Sequence, residues 1–398
     1  MYSRFFAHDM EMETILTQNG SYYIVHALSG ELLPQAKTIL QNAAASGADF
    51  IYADECIIGD ETEKVIRKPA WSPDTLRSVA YIGNIFALSD ALLRKLDMPW
   101  PLDADERYLF CLRATAKAGW IRHLPEVLYR GRAEVPKEPR AMVAAALRAE
   151  TAVDTVEHGL LPGTVSVRYA VPLGTRVSIL VFGNEDVVQF RNTLESIDCR
   201  NTYPSIELLV ADNGMPEERK SRYYQALEWS GAVRDIIRIY GEKNLAKLCN
   251  RAARQCSGDT LLFVPAGMEL MSHDGIARML ELTLQPHSGT VSSANEQDMV
   301  HQSRSGSEKK ILHNVDCATE MPMMVRRDRF WDVGGFDETF AQSGFQAALS
   351  WVLRYKRLHN IYTPYCTFQI PAGWKPAQPD ETNEQRLKDL KLTKIQQK

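Results

Sequence analysis

The chain has 398 residues, 45% hydrophobic and 24% charged, which is room for about two or three globular domains and the balance of a water-soluble protein. Its formal net charge of −4 and pI near 6.2 exclude general nucleic-acid binding, which calls for a basic excess. No apolar run reaches the roughly 18 residues of a membrane span, and the opening MYSRFFAHDMEMET lacks a signal peptide's apolar core. A cytoplasmic location is therefore expected, with peripheral contact at the inner membrane face as its variant. The seven cysteines are scattered at 56, 111, 199, 249, 256, 317 and 366. An odd count with no Cys-x-x-Cys pair argues for buried, reduced thiols rather than a disulfide framework or a zinc-cysteine site.

GSYYIVHALSGELL (20–33) reads as an apolar strand and a small-residue turn. A helix over 34–46 leads to a strand, DFIYADE (49–55). A Pro-flanked stretch, KPAWSPDTL (68–76), comes before YIGNIFALSDALLRKL (81–96). A helix over 107–119 then leads into IRHLPEVLYRGR (121–132). EPRAMVAAALRAETAVDTVEHG (138–159) predicts a connecting helix, with Pro139 in its first turn and Gly159 as its stop.

RVSILVF (176–182) has few polar residues, as a strand covered on both faces should. VVQFRNTLESI (187–197) spaces Val188, Phe190, Leu194 and Ile197 along one helical face. IELLVADNG (206–214) is a strand and its turn. NLAKLCNRAARQCSG (244–258) predicts a helix closed by Gly258. LLFVPAGMEL (261–270) is a further strand and turn, followed by a helix over 273–283 and a polar stretch (295–310) that contains His301. MMVRRDRFWDVGGFDETF (323–340), a helix over 345–358 and a strand over 361–368 follow. The basic end, NEQRLKDLKLTKIQQK (383–398), reads as a frayed surface helix with Leu387, Leu390 and Ile395 loosely on one face.

GSYYIVHALSGELL aligns without gaps to GDTLLFVPAGMELM (258–271), matching Gly20 to Gly258, Glu31 to Glu269 and Leu32 to Leu270. The elements that follow come in the same order in both halves, which reads as a duplicated α/β unit. The strand–helix alternation over 176–264 predicts a mostly parallel, doubly wound sheet with helices on both faces. Ligands of such sheets bind beyond the carboxyl ends of the strands, where Asn184, Asp212 and the turn Pro265-Ala266-Gly267 fall. The expected division is a partial domain over 1–135, a connecting helix and linker over 136–175, a complete domain over 176–370 and a basic tail over 371–398.

The stretches IYADE, KPAWSPDTL, YIGN and LPEVLYRGR in the first half, and SILVFGNED, TYPSIELLVADNG, VRRDRFWDVGGFDETF and IYTPY in the second, resemble family-2 glycosyltransferases. The likeness is to tandem members of bacterial surface-polysaccharide pathways and spans about residues 19 to 370. It implies the GT-A fold in one and a half copies: the back, acceptor-binding half first and a whole domain second. It also implies sugar transfer from a nucleotide-sugar to a glycan or lipid-linked glycan acceptor.

Carried over residue by residue, the resemblance puts the nucleotide on Asn184, Asp212, Asn213 and Lys247, although Phe182 and Gly183 depart from the family's pattern. It puts the acceptor on Asp54, Glu55, Trp71, Asp337 and Glu338. The pair Asp337-Glu338 also reads as a cap for the helix that follows. The family's Asp-x-Asp metal turn falls on Pro265, Ala266 and Gly267 in the second copy and on Ala27, Leu28, Ser29 and Gly30 in the first. These residues are poor ligands for a hard cation, so no divalent metal is expected there.

The family's general-base positions fall near Phe345-Gln346-Ala347-Ala348 and on Arg107 and Leu109, with no carboxylate. Arg107 and Arg130 are candidates to stabilise a leaving diphosphate without a metal, as are Lys247, Arg251 and Arg326. Two functions stay open. One is an atypical transferase that is metal-independent or depends on an active glycosyltransferase partner. The other is a catalytically inactive pseudo-glycosyltransferase that binds glycan or nucleotide-sugar, or scaffolds an active homologue or a second copy of itself.

Overall fold

A computed structural model describes residues 4–7, 10–59, 62–101, 103–183, 187–296, 308–318, 321–371 and 381–396. They divide into two compact units, Met1–Arg168 and Tyr169–Lys398, each built on its own sheet in an α/β fold.

The first unit contains strands β1 (Arg4–Ala7), β2 (Met10–Thr17), β3 (Gly20–Ala27), β4 (Gly30–Leu32), β5 (Phe50–Ile58), β6 (Glu63–Ile66), β7 (Ile85–Ser89) and β8 (Ile121–Gly131). Its helices are α1 (Ala36–Ala45), α2 (Pro73–Ser78), α3 (Asp90–Leu93), α4 (Ala104–Lys117) and α5 (Pro139–Leu147). The strand order is β1-β2-β3-β7-β5-β8-β4, with β6 on β5.

A mostly parallel sheet is not found in this unit. Among the described residues only β5 and β8 run parallel, and the remaining pairs are antiparallel. Connection length is the reason for the pair β2–β3. The two residues between β2 and β3 suffice for a hairpin, whereas parallel neighbours need a crossover such as the one carrying α2 to α4 from β5 to β8. The β1–β2 pair was not anticipated, although Met10-Glu11-Met12-Glu13-Thr14-Ile15 alternates with the period of a strand.

The core of this unit is aromatic at its centre. Phe50 and Phe86 stack at 5.3 Å and Phe86 and Phe110 at 5.8 Å, all three fully buried. Helix α4 delivers Phe110. Its N-cap Asp103 accepts from Glu106 N at 2.9 Å, and Asp105 and Glu106 in its first turn favour the positive end of the helix dipole.

Where β4 crosses β8, Gly30 pairs with Gly131, and a Cβ on Gly30 would lie 2.3 Å from the Arg130 carbonyl oxygen and 2.4 Å from Gly131 Cα. Both obstacles are backbone and cannot rotate away. Gly30→Ala should therefore lower this unit's stability by about 2–3 kcal/mol, read as a fall in its urea midpoint. An unchanged midpoint would show that the strands separate there freely.

The segment read as one connecting helix is a helix and a hairpin. α5 stops at Leu147, and β9 (Val153–His158) and β10 (Val165–Tyr169) pair as a two-stranded ribbon. Thr151, Val153, Thr155 and Val156 favour extended chain over helix. The turn closes through Gly159 N to Thr164 O at 2.8 Å, with Gly163 at φ +76°. Gly159 therefore opens a hairpin turn rather than stopping a helix.

The second unit contains β11 (Val177–Gly183), β12 (Ile206–Asp212), β13 (Asp235–Arg238), β14 (Thr260–Pro265), β15 (Glu269–Leu270), β16 (Ser288–Asn295), β17 (His313–Val315), β18 (Met323–Arg326) and β19 (His359–Gln369). Its helices are α6 (Val187–Arg200), α7 (Glu218–Ser230), α8 (Leu245–Ala253), α9 (Gly275–Thr283), α10 (Arg327–Asp332), α11 (Phe345–Tyr355) and α12 (Glu381–Gln396). The order is β13-β12-β11-β14-β18-β16-β19-β15, with β17 on β19.

The first four strands in that order are parallel. β18 runs antiparallel to both β14 and β16, β16 is parallel to β19, and β15 is antiparallel to β19. Parallel pairing thus covers one half of this sheet, and the other half is mixed. α8 ends at Ala253 with Arg254 as its cap, so Gly258 is no helix stop. A Cβ at Gly258 would meet Ser178 Oγ at 2.6 Å, so the close approach of β11 is what requires glycine there.

The basic tail also differs from expectation over 381–396. α12 packs Leu387 and Leu390 against the apolar cluster of this unit, and Arg386 Nη1 donates to Thr339 O at 3.1 Å.

The two sheets share a path. β3-β7-β5-β8-β4 and β14-β18-β16-β19-β15 have the same order and the same sense at every step. They differ in what flanks the path: an antiparallel β2 beside β3, and a parallel β11 beside β14.

Candidate functional site

The carboxyl ends of the parallel strands in the second unit lie in register, with Gly183 beside Asp212, Asp212 beside Arg238, and Phe182 beside Pro265. Asp212 ends β12 fully buried. It accepts from Gly214 N at 2.9 Å, Lys220 Nζ at 3.2 Å and Tyr224 OH at 3.1 Å. Burial, and then the Asp212 charge, push the Tyr224 hydroxyl well above its ordinary value. Asp212 therefore fastens α7 to the strand end.

Asn213 is placed differently. Its backbone N donates to Gly183 O at 3.2 Å and its Nδ2 to Glu242 O, while Oδ1 is buried with no hydrogen-bond partner among the described residues. Lys247, in the first turn of α8, is half-exposed and paired with Glu242 at 2.9 Å; that contact raises its ammonium pKa. Asn184 and His301 lie outside the described residues.

The turn after β14 is held by its backbone. Ala266 N donates to Phe182 O at 2.8 Å, Gly267 N to Thr193 Oγ1 at 2.8 Å, and Leu270 N to Ser196 Oγ at 2.9 Å, which ties it to α6. Gly267 sits at φ +93°, where a side chain would be strained and would meet Gln189 Oε1 at 2.7 Å. The next carboxylate along the chain, Glu269, accepts from Asn192 Nδ2 at 3.3 Å. The side chains of Pro265, Ala266 and Gly267 carry no donor atom for a metal. Among the described residues of this unit, no three His, Cys, Asp or Glu side chains gather at ligand distance.

At the start of α11, Phe345 sets its ring 6.4 Å from that of Phe182, at the end of β11. The next residue, Gln346, is buried, and its Nε2 has no hydrogen-bond partner among the described residues. Asp337 and Glu338 do not cap α11, whose N-cap is Gly344 at φ +84°. Asp337 instead accepts from Thr339 N and Oγ1. Glu338 Oε1 accepts from Asn250 Nδ2 at 3.1 Å, which ties its loop to α8.

In the first unit the proposed acceptor carboxylates are committed internally. Asp54 is 1% exposed; it accepts from Arg67 at 3.0 Å and Lys68 N at 2.9 Å and contacts His123 Nε2 at 2.8 Å. Burial would raise its pKa, but these hydrogen bonds outweigh burial and lower it. Glu55, 6% exposed, accepts from Asn84 N at 2.9 Å and faces Lys68 Nζ at 3.5 Å. In this conformation no sugar hydroxyl has a route to either.

Arg107 is buried, with Nη1 on Glu134 Oε2 at 2.9 Å and Nη2 on Asn84 Oδ1 at 3.0 Å. Arg130 lies on β8 paired with Glu63. Arg107 is thus held inside the unit, whereas the Arg130–Glu63 pair is solvent-exposed. The turn over 27–30 buries Ala27 and bonds Ser29 Oγ to Tyr129 OH at 3.2 Å. Leu28 is exposed and Gly30 is locked into the β8 crossing. Trp71 lines a cleft of about 600 Å³ with Leu76, Met98, Arg113 and the Arg77–Glu150 ion pair.

No family model matches the chain. It is 24% identical over 364 residues to the uncharacterised protein y4gI of Sinorhizobium fredii (strain NBRC 101917 / NGR234), covering 80% of this chain and 40% of that protein. It is 24% identical over 339 residues to the O-antigen biosynthesis protein RfbC of Myxococcus xanthus, covering 74% of this chain and 26% of that protein. The chain thus spans two-fifths and about a quarter of these relatives' lengths.

Similar solved structures include the mannosyltransferase PcManGT of Pyrobaculum calidifontis in complex with GDP-Man and Mn2+, at TM-score 0.41 and 17% identity over 50% of this chain and 58% of that one. GalNAc-T7 with UDP, GalNAc and Mn2+ gives 0.45 and 14% over 56% and 48%. S. aureus TarS 1–349 gives 0.39 and 13% over 48% and 60%. No helix among the described residues is long and apolar enough to cross a membrane.

Sequence reasoning missed the residues that occupy the expected sites: Lys68, Asn84 and His123 around Asp54 and Glu55, and Lys220 and Tyr224 around Asp212. Lys68 and Asn84 stood inside quoted motifs, KPAWSPDTL and YIGN. Nothing local to Lys220 or Tyr224 marks them as partners of a strand end.

Proposed function

We propose that this chain is a glycosyltransferase-like protein of surface-polysaccharide assembly, with one and a half GT-A units, that binds a nucleotide-sugar in its second unit without transferring the sugar itself. The observation that carries the reading is the turn after β14, where Pro265, Ala266 and Gly267 stand in place of metal-binding acids and backbone contacts fix the turn shut. Transfer without a metal needs cations to take up the diphosphate charge. Yet Arg107, Arg130, Lys247 and Arg326 are each already paired with a carboxylate, which leaves Arg251 as the remaining candidate. Buried Asn213 Oδ1 and Gln346 Nε2, an acceptor and a donor without hydrogen-bond partners among the described residues, support a polar ligand at these strand ends. The shared five-strand path supports reading the units as copies, and the M. xanthus relative supports the pathway class. A partner transferase would then supply the chemistry, and a glycan or lipid-linked glycan would be the acceptor it extends.

Calorimetry with UDP-, GDP- and dTDP-linked sugars, with manganese or with EDTA, tests this. Binding should be indifferent to EDTA and should weaken about three- to tenfold in Asn213→Ala, the worth of one hydrogen bond. No sugar should be released or transferred. EDTA-sensitive turnover by the purified chain would overturn the inactive reading, and failure to bind any donor would overturn donor use.

A further inference from the structure

We propose that Glu11, Glu13 and His26 form a binding site for a divalent transition-metal ion, zinc by chemistry, that ties β2 to β3. Their ligand atoms all lie within 4.8 Å of one another. The hairpin register makes the grouping rigid: Glu11 is directly opposite His26, and Glu13 is two residues along the same face of β2. Ligands sharing one tetrahedral cation at about 2.1 Å stand roughly 3.4 Å apart. Glu11 Oε2 and His26 Nε2 stand at 3.6 Å, too long for a good hydrogen bond and close to the span of a shared cation.

The state of the imidazole gives an independent argument. His26 is 3% exposed, and its Nδ1 lies 3.2 Å from Ala27 O. A carbonyl only accepts, so Nδ1 carries the proton and Nε2 is the atom turned toward the carboxylates. Nε2 thus faces Glu11 Oε2 at 3.6 Å inside the protein, a span that a shared cation would bridge.

Lys37 of α1, half-exposed, reaches Glu13 Oε2 at 2.7 Å; its ammonium can swing into solvent when a metal takes its place. Tyr129 closes the other side with its ring 6.2 Å from that of His26. One imidazole with two carboxylates favours zinc over magnesium or calcium, which prefer all-oxygen sets. The site adjoins the turn over 27–30 through Ala27 O, and the grouped ligand atoms come from β2 and His26.

The test is zinc uptake by the full-length, reduced chain in competition with a chromogenic chelator, with cobalt substitution as the spectroscopic readout. One equivalent should bind, more weakly as pH falls and protons compete for Nε2. His26→Gln and the near-isosteric Glu11→Gln should each weaken uptake at least about tenfold. Lys37→Met, a change at the surface, should bind as tightly as wild type or more tightly. The proposal is overturned by no uptake, by uptake unchanged in both Gln variants, by weaker uptake in Lys37→Met, or by thiolate charge-transfer bands in the cobalt form that show cysteine ligation.

Discussion

Lys68→Ala should cost the Met1–Arg168 unit about 3–5 kcal/mol, the usual penalty for stranding one half of a buried ion pair. The Lys68 side chain is fully buried, its ammonium donates to Ile82 O, and it faces Glu55 Oε2 at 3.5 Å. Burial lowers its pKa and Glu55 opposes that effect. Without the ammonium, the Glu55 carboxylate keeps the hydrogen bond from Asn84 N, in a space that Gly83 leaves open by lacking a Cβ. Lys68→Met fills the volume of the stem but not the charge, so it should remain strongly destabilising. Lys68→Met combined with Glu55→Gln should recover much of the loss, because neither charge is then stranded. Urea melts of wild type, Lys68→Met, Glu55→Gln and the double variant measure the coupling. A loss below about 1 kcal/mol in Lys68→Ala would mean that water reaches Glu55 and that the pair is not buried in solution.

Acid should weaken the Tyr169–Lys398 unit between about pH 4.5 and pH 2, through Glu207. Burial alone would raise this carboxyl, but the Ser178 hydroxyl, the Ser257 backbone and hydroxyl, and Arg234 outweigh burial and lower it to about 2. Gly258 N adds a contact at 3.2 Å. A carboxyl whose pKa is lowered in the fold contributes stability above its ordinary pKa of about 4.5, and that contribution is lost as pH falls toward the folded value. Glu207→Gln should cost about 2–3 kcal/mol at pH 7, a conservative figure for a charged acceptor with several donors. It should also flatten the pH dependence over that window. Thermal melts from pH 2 to 7 read both effects. A mutant curve that keeps the wild-type slope would assign the acid sensitivity to another group.

Strands with an apolar centre were legible from their residues: those read at 49–55, at 176–182 and at the start of 206–214 and of 261–270 are β5, β11, β12 and β14, with ends that differ by up to three residues. The β1–β2 hairpin was not, because its alternation of Met and Glu hides in a polar opening. The β9–β10 ribbon was masked by the alanines before it, which favour helix as far as Leu147 and then give way to β-branched residues. The site was less legible than the fold for a different reason. Acids such as Asp54, Glu55 and Asp212 advertise chemistry in a linear sequence, but whether a carboxylate is available depends on who reaches it. Here the neighbours come from other segments of the same unit: Arg67 and Lys68 to Asp54, Asn84 to Glu55, Lys220 and Tyr224 to Asp212.

The common path of five strands accepts two different neighbours on the same edge, a parallel β11 next to β14 and an antiparallel β2 next to β3. An open edge of that kind invites pairing with another chain. The β1–β2 hairpin covers it in the first unit, as the β11–β13 layer does in the second. The edge therefore behaves as a joint whose occupant is interchangeable so long as it hydrogen-bonds. A parallel occupant brings carboxyl ends, and a place for a ligand, to the joint. A hairpin covers it and returns the chain at once, so one five-strand scaffold carries either cover.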